Sequence, residues 1–549
     1  MRTADIIVRS LETQGLKRIY CVPGESYLAL LDALHGSGIE VIVCRHESGA
    51  GFMAVAEAKI TGKPAVFMVS RGPGATNGSI AVHVAEQDAV PVVVFIGQVS
   101  REERGRGAFQ EVDYTQFLGS MAKGVFEVNQ GSKMAETCAR AFRLAAEGKP
   151  GPVIIAMPED MLSDEAGDTV PEPYPLSLPH HRSGDVSNLQ SMIDKAEHPI
   201  IVAGALFRGA RGAAALARVA EAQRIPVAVT WKNQDVFDND SPLYAGHLGF
   251  GNPPKHREAL ARADLIIAAG TRLGDVASLN YTFPAAPVPA QRLVHIYPDG
   301  EPIGKVFRTD TGILADPVAL FEELGLTPRV VNSSRETWIS SINGFVRDFQ
   351  IFRPSEPADG VDFGKVVMVI AELAPVDAVI ATDAGNMSTW VHRHWKLTPA
   401  NLQIGAIAGA MGFGVPAGVA AGLVAPTRMA IVFVGDGGIL MTGQELATAV
   451  QYGAKTKVVI SDNGTYGTIR THQERHYPNR VSGTELHNPD FTAWARSFGV
   501  LAVTIAMGDD IKARVAEALT HDGPAVIHVK SSREILSAFT TLSALAKTT

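Results

Sequence analysis

Ile431-Val432-Phe433-Val434-Gly435-Asp436-Gly437-Gly438 is an apolar, β-branched run that stops at an aspartate set between glycines, and Gln444-Glu445-Leu446-Ala447-Thr448-Ala449 follows it with a helical pattern. A strand that passes through glycine into a helix is a unit of an open α/β sheet, where ligands bind beyond the carboxyl ends of the strands. Glycines let backbone N–H groups approach phosphate oxygens, and the following helix N-terminus adds a favourable dipole. The next apolar run, 457–461, ends in Asp462-Asn463-Gly464-Thr465-Tyr466-Gly467. That places an amide oxygen where the neighbouring strand stops. Mg²⁺ prefers hard oxygen donors in an octahedron, and Asp436, Asn463 and the Thr465 carbonyl are the natural protein donors. Either signal alone is an ordinary turn. Together, at two adjacent strand ends, they read as one split metal and diphosphate site.

Working outward, the chain alternates short β-branched runs with helical patterns in three blocks. Strands are expected at 18–22, 40–43, 65–69, 90–96 and 153–156 in the first, at 199–203, 226–230, 265–269 and 292–296 in the second, and at 378–382, 428–434, 457–461 and 525–529 in the third. A Pro-rich stretch at 171–179 and a polar, Pro-containing one at 353–360 separate them. The expected fold class is α/β, with three doubly wound parallel-sheet domains at 1–170, 185–330 and 355–549. The middle block is Rossmann-like in rhythm only, because its first turn, Ala203-Gly204-Ala205-Leu206-Phe207-Arg208-Gly209, lacks GxGxxG spacing.

Composition narrows the function classes. The 549 residues carry a formal charge of -8 with 19% charged residues, which gives no basic footprint for nucleic acid. Charges, Gly or Pro break every apolar stretch short of a membrane span, and the N-terminus reads as an amphipathic helix, not a signal peptide. A cytoplasmic enzyme is expected. Cys21, Cys44 and Cys138 show neither disulfide nor zinc spacing.

Gly435-Asp436-Gly437 followed by Asn463 resembles the thiamine-diphosphate motif, Gly-Asp-Gly, then some two dozen residues, then Asn. The run from Gly435 to Ala449 is similar to the acetolactate synthase branch of that family. So are His46-Glu47-Ser48-Gly49-Ala50-Gly51-Phe52-Met53-Ala54, Ser70-Arg71-Gly72-Pro73-Gly74-Ala75-Thr76-Asn77 and Gly409-Ala410-Met411-Gly412-Phe413-Gly414-Val415-Pro416. The resemblance implies a pyrimidine-binding, a middle and a diphosphate-binding domain, with thiamine diphosphate and Mg²⁺ held between the first domain of one subunit and the third of another, in a homodimer or homotetramer. It implies that Glu47 is the catalytic carboxylate on the aminopyrimidine ring, and that Met411 props the cofactor while Gly409 and Met411 offer backbone groups to it. It places Asn386 and Met387, in Asp383-Ala384-Gly385-Asn386-Met387-Ser388, beside the diphosphate. Gly24, Pro73, Asn77, Gly435, Gly437, Gly438, Tyr466 and Gly467 complete the implied cofactor set, and Gln110, in Ala108-Phe109-Gln110-Glu111, reaches toward substrate.

The implied reaction decarboxylates a 2-keto acid such as pyruvate and joins the product to an acceptor carbonyl. A decarboxylase, lyase or hydrolase of the same family is the alternative, and a non-catalytic cofactor-binding homologue is a third reading. Thr468-Ile469-Arg470-Thr471-His472 replaces the Met and Trp expected for acetohydroxyacid synthesis, and Glu25 departs from the usual residue after Gly24. The roles of His472 and Glu25 stay open. FAD also stays open, because Gly270-Thr271-Arg272-Leu273-Gly274-Asp275 is not the phrase of flavin-bearing members. The arginines of 101–106 read as a solvated loop, not an anion clamp.

Overall fold

The computed structural model describes residues 1–326, 329 and 333–546. The expected block ends at 330 and 549 lie outside the described residues. The first sheet contains β1 (Arg18–Cys21), β2 (Glu40–Val43), β3 (Ala65–Val69), β4 (Val92–Gln98), β5 (Gly124–Glu127) and β6 (Pro152–Pro158), in the order β2-β1-β3-β4-β6-β5. The second contains β7 (Pro199–Ala203), β8 (Val227–Thr230), β9 (Tyr244–Leu248), β10 (Leu265–Ala269), β11 (Arg292–Tyr297) and β12 (Thr311–Leu314), in the order β12-β11-β10-β7-β8-β9. The third repeats the first: β13 (Val379–Thr382), β14 (Leu402–Gly405), β15 (Ala430–Gly435), β16 (Thr456–Asp462), β17 (Leu501–Ile505) and β18 (Ala525–Lys530) run β14-β13-β15-β16-β18-β17. Every neighbouring pair is parallel. The fold class is therefore the one the sequence led us to expect, three parallel α/β sheets.

β5, β9, β12, β14 and β17 have no counterpart among the expected strands. All of them are sheet edges. An edge strand is covered less completely, so its apolar run is broken: β12 alternates exposed and buried residues, and β9 carries Gly246 at φ +87°. β4 begins at Val92 and not at 90 because Pro91 has no N–H to give a ladder. Beyond the second sheet, the helix Ser333–Gln350 packs Trp338, Ile342 and Val346 into the core of that sheet.

The first and third sheets share one core. Its centre is a helix pair, Glu47–Thr61 against Gly414–Val424, each dominated by glycine, alanine and valine so that the backbones approach closely. The helix Glu47–Thr61 is buried without interruption from Ser48 to Ala58, and Phe52 meets Phe413 edge-on at 5.5 Å. Each fully buried large side chain here contributes about 1.5–3 kcal/mol.

Candidate active site

In the first and third sheets strand order reverses beside β1 and β13, and in the second between β7 and β10. These switch points open a crevice at the carboxyl ends of the strands. In the third sheet, β15 pairs Gly435 with Ser461 of β16, so Asp436 and Asn463 emerge from adjacent strands. Gly435 caps a short helix, Asp436–Thr442, that carries the aspartate in its first turn. Asp436 is 3% exposed. One of its oxygens accepts from Gly437 N–H at 3.0 Å, and the other from Gly464 N–H and the Asn488 amide, both at 2.8 Å. Asn463 Oδ1 accepts from Thr465 N–H at 3.2 Å, which curls the loop and turns the backbone of 463–465 around the amide.

A cavity of about 240 Å³ opens here, lined by Asn386, Met387, Gly409, Met411, Asp436, Gly437, Asn463, Thr465, Tyr466 and Gly467 among others. Gly435 and Gly438 lie behind it, Gly438 against Val434 and Asp383. Gly437 is under a steric constraint: a Cβ there would come within 2.4 Å of the Tyr466 ring. Gly437→Ala is therefore expected to cost about 1–3 kcal/mol through overpacking, read as a lowered denaturation midpoint.

Burial pushes the Asp436 carboxyl up to about 6, and the neighbouring Asp462 charge adds to it. Burial also acts on Asp462, but hydrogen bonds from His528 (2.7 Å), Lys530 (2.9 Å) and Asn488 (2.8 Å) outweigh it and hold that carboxyl well below the usual range. Asn488 thus bridges a stabilised carboxylate to a destabilised one. Its own Oδ1 is buried without a partner, and exchanging the amide oxygen and nitrogen would set an acceptor against two carboxylates. A cation beside Asp436 would relieve its desolvated charge. The carboxylate, the Asn463 amide oxygen and the Thr465 carbonyl form the hard, all-oxygen donor set that suits Mg²⁺.

Across the cavity, Asn386 N–H donates to Thr468 Oγ1 at 3.1 Å and the Asn386 amide donates to Thr471 Oγ1 at 3.1 Å. Thr468 and Ile469 line the cavity. His472 is exposed on the helix Gly467–His476, stacked on His476; Glu25 is exposed in a short 3₁₀ turn.

The remaining candidates gather in the first domain. Glu47 opens its helix, with His46 as N-cap, and Asn77 Nδ2 donates to Glu47 Oε2 at 3.0 Å. Gly74 lies against the carboxylate, where a Cβ would stand 3.4 Å from Oε1. Pro73 begins its helix after Gly72, whose φ of +58° and missing side chain admit Gln110, itself at φ +66°. Gly24 meets Ser70 just as closely. None of Gly24, Glu47, Pro73, Asn77 or Gln110 lines the Asp436 cavity. The candidates therefore fall in two separate clusters within one chain. Of the arginines before Gln110, Arg101 pairs with Asp160 and Asp164, and Arg104 with Glu111 and Glu127, while Arg106 is exposed.

Four contributors were given no site role by the sequence reading. Asp383 directly follows β13 and accepts from Gly412 and Gly414 N–H at 3.0 Å each, which fixes the turn after Met411; burial pushes it up to about 6. Glu445 accepts from the Arg45 and His46 amides, tying the Gly-Asp-Gly segment to the start of the Glu47 helix. Asn488 and Thr468 are the others. An aspartate directly after an apolar strand was the readable sign for Asp383. The other three act through contacts remote in sequence.

The fold is a three-sheet α/β architecture whose candidate residues gather at the carboxyl edges of parallel sheets. Family models describe the chain as a thiamine pyrophosphate enzyme: the N-terminal TPP binding domain matches residues 1–117, the central domain 186–324 and the C-terminal TPP binding domain 383–529. Over 548 residues it is 33% identical to the acetolactate synthase large subunit of Parasynechococcus marenigrum, covering 96% of this chain and 87% of that one. It is 31% identical to the acetolactate synthase isozyme 2 large subunit of Escherichia coli (96% and 95% covered) and to the acetolactate synthase large subunit of Lactococcus lactis (96% and 92%). The chain belongs to the thiamine-diphosphate-dependent enzymes, in their acetolactate synthase-like branch.

Proposed function

We propose that the enzyme decarboxylates a 2-keto acid such as pyruvate and ligates the resulting two-carbon unit to an acceptor carbonyl, as the names of its relatives suggest. The observation that carries this reading is the cavity whose floor joins Asp436, Asn463 and Thr465. Asp436, Asn463 and the Thr465 carbonyl would hold Mg²⁺. Gly437, Asn386, Met387, Tyr466 and Gly467 would surround the diphosphate, and Gly409 and Met411 the ring system. Thiamine diphosphate, when bound, supplies the nucleophile and electron sink for cleavage and ligation. Glu47 holds and moves a proton at the cofactor's ring nitrogen, oriented by Asn77, while Gln110 faces substrate.

That Glu47 and Asp436 belong to separate half-sites supports completion of each site by a second copy, in a dimer or tetramer. The exposed apolar side chains Leu440 and Met441 beside the cavity and Ile80 on the helix of Asn77 fit such a contact. Among the described residues no helix is long and apolar enough to cross a membrane, and all three cysteines are free and buried, which suits a reducing cytoplasm.

FAD fits poorly. The cavity of about 580 Å³ at the second sheet's switch point includes Gly270, Arg272 and Asp275. Its cations Lys149, Arg272 and Lys305 already engage Glu86, the Gln87 carbonyl and Glu301, and Asp275 adds negative charge to the lining. No step is assigned to a flavin.

Incubation of the protein with pyruvate, thiamine diphosphate and Mg²⁺ is expected to yield acetolactate. Acetaldehyde as the sole product, or no turnover across a panel of 2-keto acids, would overturn the carboligase reading.

A further inference from the structure

The segment from Gly405 to Gly414 crosses the junction of all three domains, and buried charged groups hold its backbone on both sides of Gly409 to Met411. From the first domain, Asp88 accepts from Ile407 and Ala408 N–H at 2.9 Å each, and Lys59, paired with Asp88, donates to the Gly405 carbonyl at 2.7 Å. From the third, Asp383 accepts from Gly412 and Gly414. From the middle domain, Lys232 donates to the Ala406 carbonyl at 2.9 Å. Lys232 is 2% exposed, makes no ion pair within salt-bridge reach among the described residues, and sits at φ +60°, a conformation costly for a side chain of its kind. The strained turn is fixed from outside. Arg208 donates to the Lys232 carbonyl and pairs with Asp235, which in turn accepts from Gln403 N–H on β14. Gly405 is the residue that lets the lysine pass, since a Cβ there would stand 2.7 Å from Lys232 Cδ.

We propose that Lys232 is a positioning residue through which the middle domain sets the cofactor-facing geometry of Gly409 and Met411. This rests on the assignment of those two residues to the cofactor ring system. Stability alone does not call for an ammonium here, because burying a charge without an ion-pair partner is costly and the Ala406 carbonyl also accepts from Gly409 N–H. What the ammonium adds is a charge-assisted bond to one carbonyl, three residues from Gly409. The groups facing it are Asp88 and Lys59 from the first domain, Asp383 and the buried His392 from the third, and the Trp231 ring of its own domain, 4.6 Å away, with Arg208 and Asp235 beyond Lys59. Burial lowers the Lys232 ammonium to about 8 despite the two carboxylates, so the bond is at full strength below that pH and weakens above it.

The test is titration of thiamine diphosphate with Mg²⁺ into wild type and Lys232→Met across a pH series, with apo thermal midpoints alongside. The expected result is an apo midpoint equal to or above wild type, affinity for the cofactor weakened about tenfold or more below pH 8, and loss of the wild-type decline in affinity above pH 8. A variant that loses apo stability but keeps wild-type affinity and pH profile would overturn the proposal. Should the variant fail to fold, wild-type affinity that stays flat through pH 8 would overturn it equally. Absence of Mg²⁺-dependent cofactor binding in wild type would instead overturn the reading of the site itself.

Discussion

Asp436→Ala is expected to abolish the Mg²⁺-dependent part of thiamine diphosphate binding, weakening it by more than about 100-fold in calorimetric titrations with and without the metal. The scale follows from metal sites in which loss of a mere supporting contact costs about 10–100-fold in metal affinity; Asp436 is assigned as the one charged ligand. Folding should respond far less, because two effects oppose. Removing the carboxylate strips Gly464 N–H and the Asn488 amide of their acceptor, at about 1–3 kcal/mol for a buried donor left unpaired. It also removes a buried charge whose raised pKa shows that the apo fold holds its ionised form at a cost. Asp436→Asn keeps one oxygen and the shape of the side chain, and should fall between alanine and wild type. Undiminished metal-dependent binding in the alanine variant would remove Asp436 from the metal site and with it the split-site interpretation of β15 and β16.

What the sequence made legible follows a physical line. β15 and β16 lie inside the sheet, covered on both faces, so their centres are apolar, Ala430 to Val434 and Val458 to Ile460, and their ends are sharply marked by Gly435 and Asn463. Strands at the rim were not read, because β5 is half-buried throughout and β12 is exposed at alternate residues. The candidate residues that punctuate strands, Asp436, Asn463 and Glu47, were visible for the same reason. Asn488, Glu445 and Lys232 were not, since each acts on backbone distant in sequence and only the fold brings them there. Asp383 is the intermediate case: it stood in a quoted phrase after an apolar strand, yet its role as a cap on Gly412 and Gly414 needed the position of the segment carrying Met411. A cofactor site shared between two subunits was expected from family resemblance, not from the residues themselves; in the single chain the candidates lie in two clusters that share no cavity.

Glu47→Gln separates holding the cofactor from using it. The substitution keeps the side chain's length and its packing against Gly74, and the amide oxygen can still accept from Asn77. What it removes is a group that binds and releases a proton. If Glu47 only fixed the orientation of the cofactor ring, glutamine would serve nearly as well. If it moves a proton at the ring nitrogen, turnover should fall by about 10²–10⁴-fold, the usual contribution of a positioned acid or base, while affinity for thiamine diphosphate and Mg²⁺ stays within a few fold of wild type. The two measurements belong together, because a loss of turnover with an equal loss of binding would point to a disturbed site. Helix capping supplies the control: His46, not Glu47, caps this helix, so the thermal midpoint should hardly move. Turnover near the wild-type rate in the glutamine variant would sink the proton-transfer role and shift the chemistry to groups in the Asp436 half-site. Retained binding with lost turnover would tie the first-domain cluster to the chemical step, even though it shares no cavity with the Asp436 cluster of its own chain.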